Sequence, residues 1–194
     1  MIQNIDLYNP DFIVDCASLQ KAADIYGVMK SNGIKKMYCY AFFYRKNMLQ
    51  YDVLKIGESC PEPNTHKPDA ERLDRQIRWL EGWTEKPKSG NGVDFYMNIL
   101  NEVNEGNLSA SILNRNNINI GVWNLDCRTN SIEFITVKDR EITTWVEAEL
   151  AQQYKDKHYG DLPILNYKDP TRNSSYVKKA RIKKETLSSL FHFN

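Results

Sequence analysis

The sequence predicts an α+β fold, a small antiparallel β-sheet packed with helices, and three features carry that reading. First, the aromatic and branched run Met37-Tyr38-Cys39-Tyr40-Ala41-Phe42-Phe43 is followed, beyond the polar Arg45-Lys46-Asn47, by a second run that ends Leu54-Lys55-Ile56-Gly57-Glu58-Ser59. Two β-prone runs flanking a short polar segment read as a hairpin. Second, Ile118, Ile120 and Val122 alternate with Asn119, Gly121 and Trp123, which is the period of a strand. Third, the intervening segments carry apolar residues at helical spacing with caps at their ends, so the order reads α-ββ-α-α-ββ-α.

Taken along the chain, Ser18 to Asn32 is expected to be helical. Ser18 can cap it, Leu19, Ala22, Ala23, Ile25 and Met29 recur at helical spacing, and Asn32-Gly33 supplies a left-handed exit. The hairpin follows, from Lys36 to Gly57. Cys60 to Lys67 holds two prolines and reads as loop. Asp69 to Leu80 is a helix with Leu73, Ile77 and Leu80 on one face. Thr84 to Gly92 is a second loop, and Val93 to Glu105 a helix that ends at Gly106. After the strand at Ile118, a turn over Asp126 to Asn130 leads to a fourth strand, Ser131 to Val137. Asp139 caps a long helix that runs to His158 and stops at Gly160, and Leu162-Pro163-Ile164-Leu165-Asn166 turns the chain out of it. Lys168 to Asn194 carries Lys178, Lys179, Arg181, Lys183 and Lys184 and reads as a basic tail. The organisation is thus an N-terminal extension with a helix (1–35), a central domain (36–167) and the tail (168–194).

Composition narrows the function classes. A chain of 194 residues, 41% hydrophobic and 26% charged, is long enough to bury a core without staples. The formal net charge is only +1, so contact with a polyanion must come from a local patch. The four cysteines, Cys16, Cys39, Cys60 and Cys127, form no C-x-x-C pair. Reduced thiols in a cytoplasmic protein are therefore expected, in preference to a zinc site or a disulfide frame. The opening residues lack the basic and apolar regions of a secretory signal. No apolar run approaches the roughly 20 residues of a membrane span.

The candidate chemistry gathers on the hairpin and on two helices. Tyr38 and Tyr40 share one strand face by the period of two. Lys55-Ile56-Gly57 closes the second strand. Arg72, Arg75 and Arg78 make a basic stripe on the helix after the loop, and guanidinium suits bidentate phosphate binding. Glu147 and Glu149 both lie on the long helix; Ile142, Trp145 and Val146 bracket Glu149 by periodicity.

A strand tyrosine, Lys-Ile-Gly ending the next strand and an arginine on the following helix resemble the GIY-YIG nuclease superfamily. The run Glu71-Arg72-Leu73-Asp74-Arg75-Gln76, with Gly82-Trp83 soon after, resembles its restriction-type and uncharacterised members. The Gly-Ile-Tyr motif matches Tyr38-Cys39-Tyr40 only at its last position. Lys55 stands where the family has tyrosine, as in some restriction-type members. The likeness extends over Met37 to Asn166, closing with Gly160, Leu162-Pro163 and Asn166.

The resemblance implies a GIY-YIG-like fold and a metal-dependent DNA endonuclease, in which an activated water hydrolyses a phosphodiester and leaves a 5′-phosphate. It implies that Tyr40 or Tyr38 orders the water, with Lys55 beside it, and that Arg72, with Arg75 as the alternative, holds the phosphate. It implies that Glu147 binds one Mg²⁺ or Mn²⁺, because apolar Leu150, Ala151 and Tyr154 follow it at the family's offsets, whereas Glu149 is followed by Gln152, Gln153 and Asp156. Gly57 is structural, and Asn166 ties the site down by hydrogen bonding. Arg75, Arg78, Lys86 and Lys88 are candidate DNA contacts, the last two in a loop of cations and bare amides; His66 is a candidate second base. The expected partner is DNA, with no membrane and no small-molecule cofactor. The alternative is a DNA-binding module of the same fold that has lost the chemistry, supported by the missing motif glycine and by lysine in place of tyrosine.

Overall fold

The computed structural model describes residues 3–21, 23–34, 37–46, 51–60, 73, 77, 92–126, 137–166, 168–171 and 191–193. In chain order its strands are β1 (Gln3–Ile5), β2 (Phe12–Asp15), β3 (Tyr38–Arg45), β4 (Tyr51–Ser59), β5 (Ile118–Asn124) and β6 (Phe191–Phe193). Its helices are α1 (Asp24–Ser31), α2 (Gly92–Asn104) and α3 (Val137–Lys157). The fold is α+β: four strands form one antiparallel sheet in the order β2-β5-β3-β4, and β1 pairs with β6 in a separate parallel ladder.

β3 is flanked by β5 and β4, and its side chains from Tyr38 to Tyr44 are buried on both faces. This explains why large apolar residues occupy consecutive positions there instead of alternating with polar ones. Tyr38, Tyr40, Phe42 and Tyr44 pack on one face with Ile25 and Met29 of α1, Leu73, Ile77, and Ile99 of α2. Cys39, Ala41 and Phe43 pack on the other with Ile142, Trp145, Val146, Leu150 and Ala151 of α3. Helices thus cover both faces, and the two faces of one strand build two cores.

The expected hairpin is present, with β3 running to Arg45 and β4 starting at Tyr51, and Lys46 pairs with Asp52 at the end where the chain passes from one strand to the other. The left-handed exit at Gly33 is present as well, at φ +76°. Two other expectations are corrected, and a third lies almost wholly outside the described residues. The helix placed over Ser18 to Asn32 is confined to Asp24–Ser31, preceded by a 3-10 turn over Cys16–Ser18. The reason is local: Asp15 accepts from the Ala17 amide at 2.9 Å, and Asp24 accepts from the Gln20 and Lys21 amides at 3.0 Å each. Those carboxylates compete with a helical backbone and win the first two turns. The strand added to the sheet beyond the hairpin and β5 is β2, from the N-terminal segment, and pairs Val14 with Ile120. The strand expected over Ser131 to Val137 lies outside the described residues except Val137, which already opens α3. The C-terminal tail is not all tail. Phe191–Phe193 is a strand against Gln3–Ile5.

The N-terminal segment is fastened to α3 by one side chain. Gln153 accepts from the Leu7 amide and donates to the Ile5 carbonyl, both at 2.8 Å. Trp123 donates to the Asp6 carbonyl at 3.1 Å. No helix among the described residues is long and apolar enough to cross a membrane.

Candidate functional site

β4 is the edge strand of the sheet, and its last residues form the candidate site. The ladder pairs Phe42 with Lys55, Ala41 with Ile56, Tyr40 with Gly57, Cys39 with Glu58 and Tyr38 with Ser59. The register shifts between Phe42 and Phe43, because Phe43 pairs with Val53 and leaves Leu54 as the extra residue of a bulge. Such a bulge twists an edge strand and re-aims the side chains beyond it. It brings Lys55 into register with Phe42, on the tyrosine face.

Tyr40 is fully buried and crosses to β4. A β-carbon built on Gly57 would stand 2.5 Å from Tyr40 Cζ and 2.9 Å from its Cε2. Only a residue without a side chain allows this approach. Tyr38 stands 6.1 Å from Tyr40 between ring centroids, and Phe42 meets Tyr40 edge-on at 5.8 Å. The hydroxyl-bearing ring is therefore held from both sides along its own strand.

The outer edge of β4 is clasped by the segment after α3. Asn166 Oδ1 accepts from the Ile56 amide at 2.8 Å, and its Nδ2 donates to the Ile56 carbonyl at 2.9 Å. The Leu165 amide donates to the Leu54 carbonyl at 2.9 Å. One amide side chain thus satisfies both main-chain groups of the middle residue of Lys55-Ile56-Gly57, which an edge strand would otherwise leave to solvent.

Glu147 projects from α3 on the opposite face of the sheet. Its carboxylate acts on the thiol of Cys39, which is pushed well above its ordinary value by burial first and then by Glu147, Glu58 and Cys60. Cys39 Sγ donates to the Thr143 carbonyl at 3.5 Å, one turn before Glu147. The charges of two carboxylates, on β4 and α3, are therefore both felt by one buried thiol. Glu58 was not singled out from the sequence; its position opposite Cys39, the residue between the two hairpin tyrosines, is the signal that could have found it. Glu149 also belongs to α3 and is half-buried.

The structure therefore brings together Tyr40, Tyr38, Lys55, Gly57 and Asn166, and sets Glu147 across the sheet from them. Arg72, Arg75, Arg78, Lys86, Lys88 and His66 lie outside the described residues. Leu73 and Ile77, beside Arg72 and Arg78 in sequence, are helical and buried in the core that holds Tyr38 and Tyr40.

Among the described residues no group of three or more His, Cys, Asp or Glu side chains is arranged to hold a metal ion. The donor set still suits a hard divalent cation, since Mg²⁺ is commonly held by one or two carboxylates together with substrate phosphates and water. Glu147 and Glu58 are the carboxylates at hand. No family model, curated protein or solved structure matches the chain.

Proposed function

We propose that the chain is a metal-dependent DNA endonuclease of the GIY-YIG type, hydrolysing a phosphodiester by an activated water. The observation that carries this reading is the clasp of Lys55-Ile56-Gly57: Asn166 grips Ile56 while Tyr40 lies over Gly57. Residues distant in sequence are spent on holding one short tripeptide, which is what a site needs when its groups must be pre-positioned.

In this reading Tyr40 orders a water for attack on phosphorus, and Lys55 stands beside it to accept the water's proton or to neutralise the non-bridging oxygens. Arg72 holds the phosphate. Glu147, with Glu58 near it, supplies carboxylate oxygens for a Mg²⁺ or Mn²⁺ ion. That ion, when bound, offsets charge developing on the phosphate and on the departing oxygen. The water gives one proton to Lys55 in its neutral amine form as its oxygen bonds to phosphorus, the P–O3′ bond breaks, and the departing O3′ takes a proton from solvent, so that the products are a 3′-hydroxyl and a 5′-phosphate.

A second reading, a DNA-binding module without turnover, draws on two observations: Tyr40 is fully buried, and α3 packs on the face away from it. One assay separates the two. Nicking of supercoiled plasmid in Mg²⁺ or Mn²⁺, abolished by chelator and by Glu147→Ala, is the expected result. Cutting that persists in chelator, or none in either metal, overturns the nuclease reading. Full activity in Glu147→Ala, with loss in Glu149→Ala, transfers the metal role to Glu149.

A further inference from the structure

Ile142, Trp145, Val146, Leu150 and Ala151 of α3 pack with Cys39, Ala41 and Phe43 of β3, and Thr143, polar and wholly buried, lies on the same helix. Apolar contact is non-directional, so by itself it leaves a helix free to settle at neighbouring positions along a sheet. A buried hydroxyl costs desolvation unless it is bonded, and its bond has a direction. Thr143 is bonded twice, to alternate residues of the chain entering β3. Its Oγ1 donates to Met37 Sδ at 3.8 Å, and its carbonyl accepts from Cys39 Sγ at 3.5 Å. That seat is fixed in turn. The Met37 amide donates to Asp126 Oδ1 at 3.0 Å, the Met37 carbonyl accepts from the Leu125 amide at 3.1 Å, and Cys39 is laddered on both sides, opposite Trp123 and Glu58.

The Thr143 carbonyl also bears on Glu147. Within α3 (Val137–Lys157) it takes the Glu147 amide, because helical bonds run from each amide to the carbonyl four residues back. The Cys39 thiol therefore rests on the peptide group that carries Glu147. Residues four apart share a helix face, so Glu147 stands over the same stretch of β3, and its charge is felt at the thiol. Tyr38 and Tyr40 flank Cys39 and pack on the other face of the sheet. One residue thus joins the strand of the tyrosines to the helical turn of the carboxylate. A slip of α3 by one residue would carry Glu147 about 1.5 Å, whereas a metal–oxygen distance tolerates about 0.2 Å.

We infer that Cys39 is a positioning residue: through the Thr143 carbonyl it fixes where Glu147 holds a divalent cation relative to the hairpin tyrosines, with Thr143 and Met37 completing the seat. The inference deepens the reading of Glu147 as a metal ligand and rests on it; testing it needs no cleavage.

The test titrates Mn²⁺ into the full chain without DNA and follows free Mn²⁺ by electron paramagnetic resonance. Wild type is expected to bind, and Glu147→Ala to abolish the binding. Cys39→Ala removes the donor and is expected to weaken Mn²⁺ binding about tenfold, as for loss of a group that orients a metal ligand. Cys39→Ser keeps a donor and is expected to restore most of the affinity. Thr143→Val keeps the shape and removes the hydroxyl; it is expected to move in the direction of Cys39→Ala, which supplies a second route should one variant fold poorly. Affinity equal to wild type in both Cys39→Ala and Thr143→Val, with loss in Glu147→Ala, overturns the positioning role and leaves the metal reading standing. Equal weakening by Cys39→Ala and Cys39→Ser assigns the effect to packing and likewise overturns it. Absence of Mn²⁺ binding by wild type, or binding that survives Glu147→Ala, overturns both.

Discussion

Tyr40 and Gly57, paired across β3 and β4, occupy space that an alanine at position 57 would contest: its β-carbon would come within 2.5 Å of Tyr40 Cζ. Tyr40 is fully buried between Tyr38 and Phe42 and has nowhere to retreat. Gly57→Ala is therefore expected to destabilise the protein by about 1–3 kcal/mol, in the range of overpacked cores. The origin can be isolated by a double-mutant cycle with Tyr40→Leu, read by urea unfolding. On the Tyr40→Leu background, Gly57→Ala should cost less than half of what it costs in wild type. Equal costs in both backgrounds would show that the glycine answers to something other than the tyrosine ring.

Asn166 holds both main-chain groups of Ile56. Asn166→Leu removes both partners and leaves a partly buried N–H and C=O to find water, at a cost of about 1–3 kcal/mol. Hydrogen exchange at the Ile56 amide is expected to accelerate much more than exchange at the central-strand amides of β3. Unchanged protection of Ile56 would mean that the Leu165–Leu54 bond alone secures the edge.

Lys55 is expected to separate binding from turnover. If it stands beside the attacking water, Lys55→Met loses cleavage at saturating DNA far more than it loses DNA affinity. If it is an electrostatic contact, the variant binds poorly and cuts normally once saturated. Single-turnover rates and titrations of the same variant in chelator supply the two numbers.

The pair Lys155–Asp169 fastens the segment after α3 back onto the helix, at 2.9 Å, and Thr171 donates to Asp169 at 2.6 Å from its hydroxyl and at 2.9 Å from its amide. Burial works against ionisation of Asp169, but the hydrogen bonds from Thr171 and Lys155 prevail and hold its carboxyl below the ordinary value of 3.8. A carboxyl with a lowered folded value adds stability at pH above 3.8, and that stability is lost as pH falls below 3.8 through the folded value. Asp169→Asn is expected to be less stable than wild type by about 1–2 kcal/mol at neutral pH. The gap should close as pH falls below 3.8 in chemical unfolding. A gap that stayed constant over that range would show that the variant acts through packing instead of charge.

Much of this could be read from the residues alone because it depends on neighbours in sequence. The hairpin follows from two apolar runs around Arg45-Lys46-Asn47, the left-handed exit at Gly33 from a residue type, and the shared face of Tyr38 and Tyr40 from the period of a strand. The importance of Gly57 and Asn166 was visible only through their places in a motif; what each does required the partner across space. One miss was local, and two matters were decided by tertiary structure alone. Asp15 and Asp24 drew the backbone of 17–21 out of the helix that apolar spacing predicts, since a carboxylate can compete for amides that periodicity counts as helical. Strand pairing is non-local, so nothing near Phe12–Asp15 or Phe191–Phe193 announced that one would extend the main sheet and the other would meet the N-terminus. The side of the sheet from which Glu147 acts was set by which stripe of α3 buries Ile142, Trp145, Val146 and Leu150. A helix can turn either neighbour of a carboxylate toward a sheet, and packing energy summed over the whole interface makes that choice.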